Sequence, residues 1–273
     1  MPDSSPLLLT SPLLAHVPHA FSTRVGGLSP PPFDSLNFGN PGDLPAHIAR
    51  DPIDRIRLNF SIVMTHLGIP DRTLVQVHQV HGSVVATLRR DDRTRDAWPA
   101  PGHSDPKADA IVTDDPRLAL AVRVADCCPI LLACETGRVV GAVHAGWRGT
   151  VSGVLLAAVA AMQRLGAIRI RAAIGPCIST RRFEIGPEVA REFAAAFPAP
   201  SFLSPSPDPA RAEQGKSHAD IPAALRHQLR LAHIDRIENH DLCTFEHRDL
   251  FFSHRRDHGI TGRMIGLISP VYH

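Results

Sequence analysis

The sequence predicts a single α/β domain. Short Val-, Ile- and Leu-rich runs alternate with longer segments whose apolar residues recur at helical spacing. No shift in composition divides the chain into two cores, and no internal repeat is present. With 273 residues, 44% of them hydrophobic, the chain is long enough to bury a substantial core.

In chain order, residues 1–19 read as a lead-in punctuated by Pro6, Pro12 and Pro18, and one catalytic domain is expected over 20–273. Gly26-Gly27 and Pro30-Pro31-Pro32 mark a loop. Over 47–67 the spacing of Ile48, Ile53, Ile56, Leu58, Ile62 and Leu67 predicts a helix, stopped by Gly68 and Pro70. Residues 74–88 alternate and are rich in β-branched side chains, which predicts one or two strands. The charged stretch 91–107, with Trp98, Pro99, Pro101 and Gly102, reads as an exposed loop. Strands follow at 109–113 and 118–124, then a hairpin across 128–144. Residues 150–165 form the strongest helical pattern, ended by Gly166. A strand at 169–174 runs into Gly175-Pro176, and a helix follows Pro187. Prolines at 198, 200, 205, 207 and 209 make 198–217 a flexible insert. A helix over 218–233 and strands over 234–239 and 264–269 complete the chain.

Composition narrows the function classes. Lys plus Arg total 29 against 27 acidic residues, a net charge of +2, which gives no basic face for nucleic acid. The split of 27 Arg to 2 Lys is read as background. Five cysteines, an odd number with three between 127 and 134, make a poor disulfide framework and favour a reducing, cytoplasmic setting. The N-terminus carries Asp3 and no basic segment, against a signal peptide. The longest strongly apolar run, 154–162, is too short to span a bilayer, so no membrane partner is expected. Sixteen histidines invite a search for metal or acid–base sites.

Cys127 and His144 sit on the two arms of the hairpin around Glu135-Thr136-Gly137-Arg138. A loop centred on Glu135-Thr136 places them directly opposite; one centred on Thr136-Gly137 slips His144 by two positions and keeps it on the same face. A three-residue loop separates them. A thiolate and an imidazole held together share a Zn²⁺ or act as nucleophile and base. A third ligand is available from Val77-His78-Gln79-Val80-His81-Gly82. If that segment is extended, His78 and His81 face opposite ways, and the pattern does not choose between them. Three mixed Cys and His ligands leave a position open on zinc, the catalytic arrangement, and zinc makes hydroxide available near neutral pH.

The sequence resembles a known family. Phe21-Ser22-Thr23-Arg24-Val25-Gly26-Gly27 and Asp34-Ser35-Leu36-Asn37 match its opening signature. Gln79-Val80-His81-Gly82, Ala125-Asp126-Cys127 and Val143-His144-Ala145-Gly146-Trp147-Arg148-Gly149-Thr150 match its metal motifs. Ile174-Gly175-Pro176-Cys177-Ile178, Phe183-Glu184-Ile185-Gly186, Cys243-Thr244, Phe252-Ser253-His254-Arg255-Arg256-Asp257 and Thr261-Gly262-Arg263 follow in family order. These segments, spread from about 20 to 269, are similar to the laccase-domain, or polyphenol oxidase, family of purine nucleoside phosphorylases, the YfiH family, also described as peptidoglycan editing factors.

The resemblance implies an α-β-β-α sandwich with mixed sheets and a zinc bound by His81, Cys127 and His144, with copper as the alternative metal. It implies phosphorolysis of adenosine, inosine and 5'-methylthioadenosine to base plus ribose 1-phosphate. It also implies adenosine deamination through attack of a zinc-bound hydroxide on C6. Its partners are then small-molecule purine nucleosides and phosphate. Deamination needs a carboxylate to shuttle protons. Asp126, a strand neighbour of Cys127, points to the other face, so Asp109 and Glu184 are the candidates. Phosphorolysis needs cations for phosphate: Arg24 and Arg148 lie beside glycine-rich turns, and Arg255 or Arg256 could contribute. Ser22, Asn37 and Cys177 are candidate pocket residues, and Trp147 is a candidate stacking surface for the base. The departures from the family pattern are Cys134, where an aspartate is common, and the vicinal Cys127-Cys128 pair.

Two rivals remain at this level. A metal-free cysteine hydrolase or amidase acting on peptidoglycan precursors would use Cys127 as nucleophile and His144 as base. Copper-dependent oxidation of phenols would need paired His-x-His motifs, and the sequence offers only His78-x-x-His81.

Overall fold

The computed structural model describes residues 5–42, 44–91, 106–199 and 201–272. Of the loop expected over 91–107, residues 92–105 lie outside the described residues.

Two sheets stack face to face. The first contains β1 (Leu8–Leu9), β2 (His19–Ser22), β3 (Thr73–Val75), β6 (Leu118–Val124) and β14 (Met264–Ile268), in the order β1-β2-β14-β6-β3. The second contains β4 (Val85–Leu88), β5 (Ala110–Thr113), β7 (Cys128–Ala133), β8 (Val140–Ala145), β9 (Arg171–Ile174) and β13 (Ile237–Asn239), in the order β13-β9-β7-β8-β5-β4. Both are mixed: β3 runs parallel to β6 and β4 to β5, whereas β14–β6 and β7–β8 are antiparallel.

Period-two alternation decides what each strand buries. In β6, Leu118, Leu120 and Val122 point at the second sheet, while Ala119 and Ala121 pack beneath helix α1 (Ile53–His66). In β7, Leu131 and Ala133 point at the first sheet, while Ile130 and Leu132 meet the opposite helical layer. That layer is built on α3 (Val154–Arg164) and α6 (Ile221–Leu231), preceded by α2 (Trp147–Val151) and α4 (Pro187–Ala196). Burial of each such Leu or Ile contributes about 1.5–3 kcal/mol to holding the four layers together. The architecture is therefore the α-β-β-α sandwich with mixed sheets. Among the described residues, no helix is long and apolar enough to cross a membrane.

Three expectations are corrected and one, that for 74–88, is sharpened. The helix placed at 47–67 begins at Ile53, because Pro52 leaves the preceding Asp51 outside helical geometry. The helix at 150–165 is two helices, broken at Gly153, whose φ of +79° suits glycine. Residues 74–88 supply β3 and β4 to different sheets, joined by the non-strand segment 76–84. The described part of the insert at 198–217 is ordered: β12 (Ser217–Ala219) pairs with both β10 (Glu184–Ile185) and β11 (Leu203–Pro205) in a three-stranded sheet, and α5 (Pro209–Glu213) connects β11 to β12. Within 1–19, Leu8 pairs with Ser22 and Leu14 is fully buried, so this segment packs on the first sheet.

Candidate metal centre

The hairpin register is the one centred on Thr136-Gly137, with Pro129 opposite His144 and Cys128 opposite Ala145. Val140 and Ala142 face the first sheet, so His144, on the same parity, does too, at the end of the inter-sheet layer. Cys127 lies two residues before Pro129 and reaches the same end. His81 arrives from 76–84, the segment that crosses from the first sheet to the second. The sandwich thus brings three donors together from two connections and one strand end.

The ligand atoms of His81, Cys127 and His144 all lie within 4.8 Å of one another. Cys127 Sγ is 3.8 Å from His81 Nε2, and the two imidazoles meet edge to face with centroids 4.8 Å apart. His144 is buried, Cys127 half-buried and His81 exposed, so the group has a closed back and an open front. One thiolate and two imidazoles make a borderline-soft set that suits zinc or copper and leaves a coordination position open. The residues present fit such an ion.

Asp109 sits behind them, fully buried. Its Oδ1 accepts from His144 Nδ1 at 2.9 Å and from the His81 backbone N–H at 2.9 Å. Its Oδ2 accepts from the N–H groups of Val80 and Gly82 at 3.2 and 2.7 Å. Burial pushes the Asp109 carboxyl up, but hydrogen bonds from His144 and Gly82 outweigh it and hold it below the ordinary value. By engaging Nδ1, Asp109 leaves His144 Nε2 as the donor atom. The ring of N–H groups also holds His81 at φ +61°, a conformation a strand does not have. The alternation argument for His78 against His81 therefore does not apply; both side chains line the same cavity.

Burial raises the Cys127 thiol, yet the charge of His144 and hydrogen bonds from both imidazoles bring it down to about 6. Burial likewise depresses His144, while Cys127 and Asp109 raise it to about 9. Metal-free, the pair is a thiolate–imidazolium couple. Asp126 turns the chain into Cys127 at φ +86°, an unfavourable angle costing about 1–3 kcal/mol. Its carboxylate is clamped by Thr244 Oγ1 at 2.6 Å and the Arg255 backbone N–H at 2.7 Å. Gly146 is required for space: a Cβ there would stand 3.0 Å from both Cys127 Sγ and His81 Cδ2.

In front of the donors lies a cavity of about 570 Å³, whose walls include His78, Phe183, His254 and the guanidinium-bearing Arg123, Arg255 and Arg263. Arg255 donates to the Glu184 carbonyl at 3.0 Å and stacks on Phe183. Arg123 and Arg263 were not singled out as site residues from the sequence, although an arginine interrupting the apolar run of β6 is a visible signal.

Other candidates stand elsewhere. The Glu184 carboxylate pairs with Arg211 and accepts from Ser206, outside the cavity lining. Arg24 pairs with Asp34 at 3.1 Å and stacks on Phe252. Arg148 stacks on Trp147, whose ring packs towards the helical layer. Asn37 donates to Asp51 at 2.9 Å and accepts from the Gly39 and Arg263 N–H groups. Ser22 accepts from the Ile265 N–H, and the backbone of Cys177 pairs with that of Cys243 while both thiols stay free. Arg256 is engaged by Asp257. None of these side chains lines the cavity. Asp126 does line it, with both carboxylate oxygens bonded away.

Residues 18–270 match a family described as multi-copper polyphenol oxidoreductase laccase. The chain belongs to this laccase-like family. A Deinococcus radiodurans relative named purine nucleoside phosphorylase is 37% identical over 263 residues, covering 96% of this chain and 92% of its own. Escherichia coli YfiH, also named purine nucleoside phosphorylase, is 34% identical, covering 90% and 91% of the two chains. The crystal structure of YlmD from Geobacillus stearothermophilus superposes with a TM-score of 0.83 at 30% identity, covering 100% of this chain and 98% of that one. A Neisseria meningitidis structure gives 0.79 at 33% identity, with coverages of 98% and 100%. Within this laccase-like frame, His81, Cys127 and His144 are the one group of His, Cys, Asp or Glu among the described residues placed to hold a metal ion.

Proposed function

We propose that the cavity phosphorolyses purine nucleosides, adenosine, inosine and 5'-methylthioadenosine, to the free base and ribose 1-phosphate, and deaminates adenosine, with Zn²⁺ held by His81, Cys127 and His144. The observation that carries this reading is the three-donor group opening onto an arginine-walled cavity. The names of the relatives at 34–37% identity, purine nucleoside phosphorylase, support its phosphorolysis part. Zinc there would supply Lewis acidity and lower the pKa of water at the open position.

The chain's own residues define the rest. In phosphorolysis a phosphate oxygen bonds to C1' as the C1'–N9 bond breaks, and the base leaves with the electron pair and takes up a proton. A dianion must therefore be held beside the ribose, which is what guanidinium groups do through paired N–H donors. Arg255, oriented by the Glu184 carbonyl, and Arg123 and Arg263 take this role in place of Arg24 and Arg148. Phe183 offers the cavity an aromatic face for a base. Asp109 positions His81 and His144 rather than moving protons, because its oxygens already accept four hydrogen bonds. The test is incubation of the zinc-loaded protein with each nucleoside, with and without phosphate, and identification of the products. Phosphate-dependent release of base supports the reading; unchanged nucleosides overturn it.

A second reading rests on geometry. Cys127, His144 and Asp109 line up in the order of a nucleophile, its base and the base's orienting carboxylate. A metal-free cysteine hydrolase acting on peptidoglycan precursors would stay active in EDTA and lose activity on alkylation of Cys127.

A further inference from the structure

The strand β3 accompanies β6 only from Thr73, opposite Leu118, to Val75, opposite Leu120. β6 itself runs on to Val124, and on its other side Arg123 stands opposite Ile265 of β14. Ile265 gives its N–H to Ser22 Oγ rather than to Arg123. The N–H and C=O of Arg123 therefore turn to the edge that β3 has left, where unpaired backbone groups are costly.

Gln79 meets both groups. Its Nε2 donates to the Arg123 carbonyl at 2.7 Å, and its Oε1 accepts from the Arg123 N–H at 2.8 Å. A side-chain amide carries the donor and the acceptor of a peptide group, so Gln79 stands in for the missing residue of β3. The guanidinium of Arg123 is aimed by a further bond, from Nη2 to the Val77 carbonyl at 3.3 Å. Its stem is confined by Gly39, where an added Cβ would stand 3.3 Å from Arg123 Cδ and 3.7 Å from Arg263 Cγ.

The same short stretch carries a metal donor. His78 is tied through its backbone to Pro106 at 3.0 Å and to Ala108 at 3.1 Å. The N–H groups of Val80, His81 and Gly82 are bound by Asp109. Residues 78–82 are thus fixed against 106–109, and Gln79 is the link from that anchored stretch to β6. Through it His81 and Arg123, both on the cavity wall, are held in one fixed relation.

We propose that Gln79 is a positioning residue for oxyanion binding, which sets Arg123 so that its guanidinium holds phosphate in a defined place relative to the metal donors. Both polar atoms of Gln79 are spent on Arg123, so its effect passes through that residue. This inference rests on the reading of the cavity as a phosphate-using site.

Inorganic phosphate is the probe, titrated calorimetrically into the zinc-loaded full chain, with metal content measured on the same samples. Gln79→Met keeps the length of the side chain and removes both bonds. Gln79→Ala admits water to the two backbone groups and serves where the methionine variant does not fold. Each Gln79 variant should keep its zinc and bind phosphate about tenfold more weakly, as should Arg123→Met, the size of one charge-assisted hydrogen bond. In the Arg123→Met background the Gln79 substitutions should add less than about twofold, because the pair acts as a unit. In adenosine phosphorolysis the KM for phosphate should rise while kcat is nearly kept. Four results would overturn the proposal: no phosphate binding by the unsubstituted chain, unchanged affinity in the Gln79 variants or in Arg123→Met, a loss of equal size with and without Arg123, or a loss that accompanies loss of zinc. Phosphate affinities in the expected pattern with every nucleoside left intact would support the role of Gln79 and overturn the nucleoside reading alone.

Discussion

Asp109 and His144 are joined at 2.9 Å between Oδ1 and Nδ1, and the same buried carboxylate also accepts the backbone N–H of His81. One side chain therefore fixes two of the three metal donors, one through its ring and the other through its backbone. That makes Asp109 the residue on which the geometry of the centre turns. Asp109→Asn keeps the volume but replaces a four-bond acceptor by an amide that is half donor. Zinc affinity should fall about 10–100-fold, as for other outer partners of metal-binding histidines. Competition against a chelating dye checks this, and an unchanged affinity would show that 80–82 holds its shape unaided.

The donors themselves should act together. His81→Ala, Cys127→Ala and His144→Ala are each expected to abolish zinc binding and phosphorolysis, measured by metal content and by release of adenine from adenosine and phosphate. His78→Ala, at an exposed wall position, should be far milder. Adenine release that survives in any of the three donor variants refutes the assignment.

The relation between sequence and structure is uneven in an instructive way. Cys127 and His144 could be placed on one face because face parity survives a two-residue slip, and the observed register is such a slip. The sandwich layers follow from the same alternation in Leu118–Val124 and Cys128–Ala133. His81 could not be chosen over His78 by periodicity, because its segment is not a strand. Its shape depends on a carboxylate 28 positions away, and local propensity carries no record of that contact. Resemblance to family motifs did select His81. Arg255 was among the candidates, but Arg123 and Arg263 escaped for a related reason: glycine-rich turns favour Arg24 and Arg148, whereas cavity walls are set by which strand ends converge. Proline density likewise suggested a flexible 198–217, but Ser204 and His218 pair across it in a short sheet.

Gly146 tests how tightly the centre is packed. Its φ of −78° is open to alanine, so backbone strain is absent and only the added Cβ matters. That atom would stand 3.0 Å from Cys127 Sγ and His81 Cδ2, so the donors must move apart by a few tenths of an ångström. Gly146→Ala should weaken zinc binding and activity at least about tenfold with little change in melting temperature. Gly42→Ala, where nothing lies within 4 Å of the added atom, serves as the control. Equal metal affinity in the two variants would show that the donors have room to relax.

Acid should loosen the support of Cys127 through Asp257. Its carboxylate takes both Arg256 Nε and Nη2 at 2.8 Å, while Arg256 also donates to the carbonyls of Thr244 and Phe251. Thr244 in turn clamps Asp126, beside Cys127. Burial raises the Asp257 carboxyl, but the Arg256 hydrogen bonds and charge outweigh it and leave it below the ordinary value. A depressed folded-state pKa stabilises the fold fully above the unfolded value near 4, and that contribution is lost as the pH falls through the folded value. Asp257→Asn should therefore melt below the unsubstituted protein at pH 7, with the gap closing as the pH drops below about 4. Thermal scans between pH 3 and pH 7, on an order-of-magnitude span about the carboxyl range, measure that gap. A gap that stays constant across the scans would mean that the ionised carboxylate contributes nothing, and that only the shape of the side chain matters.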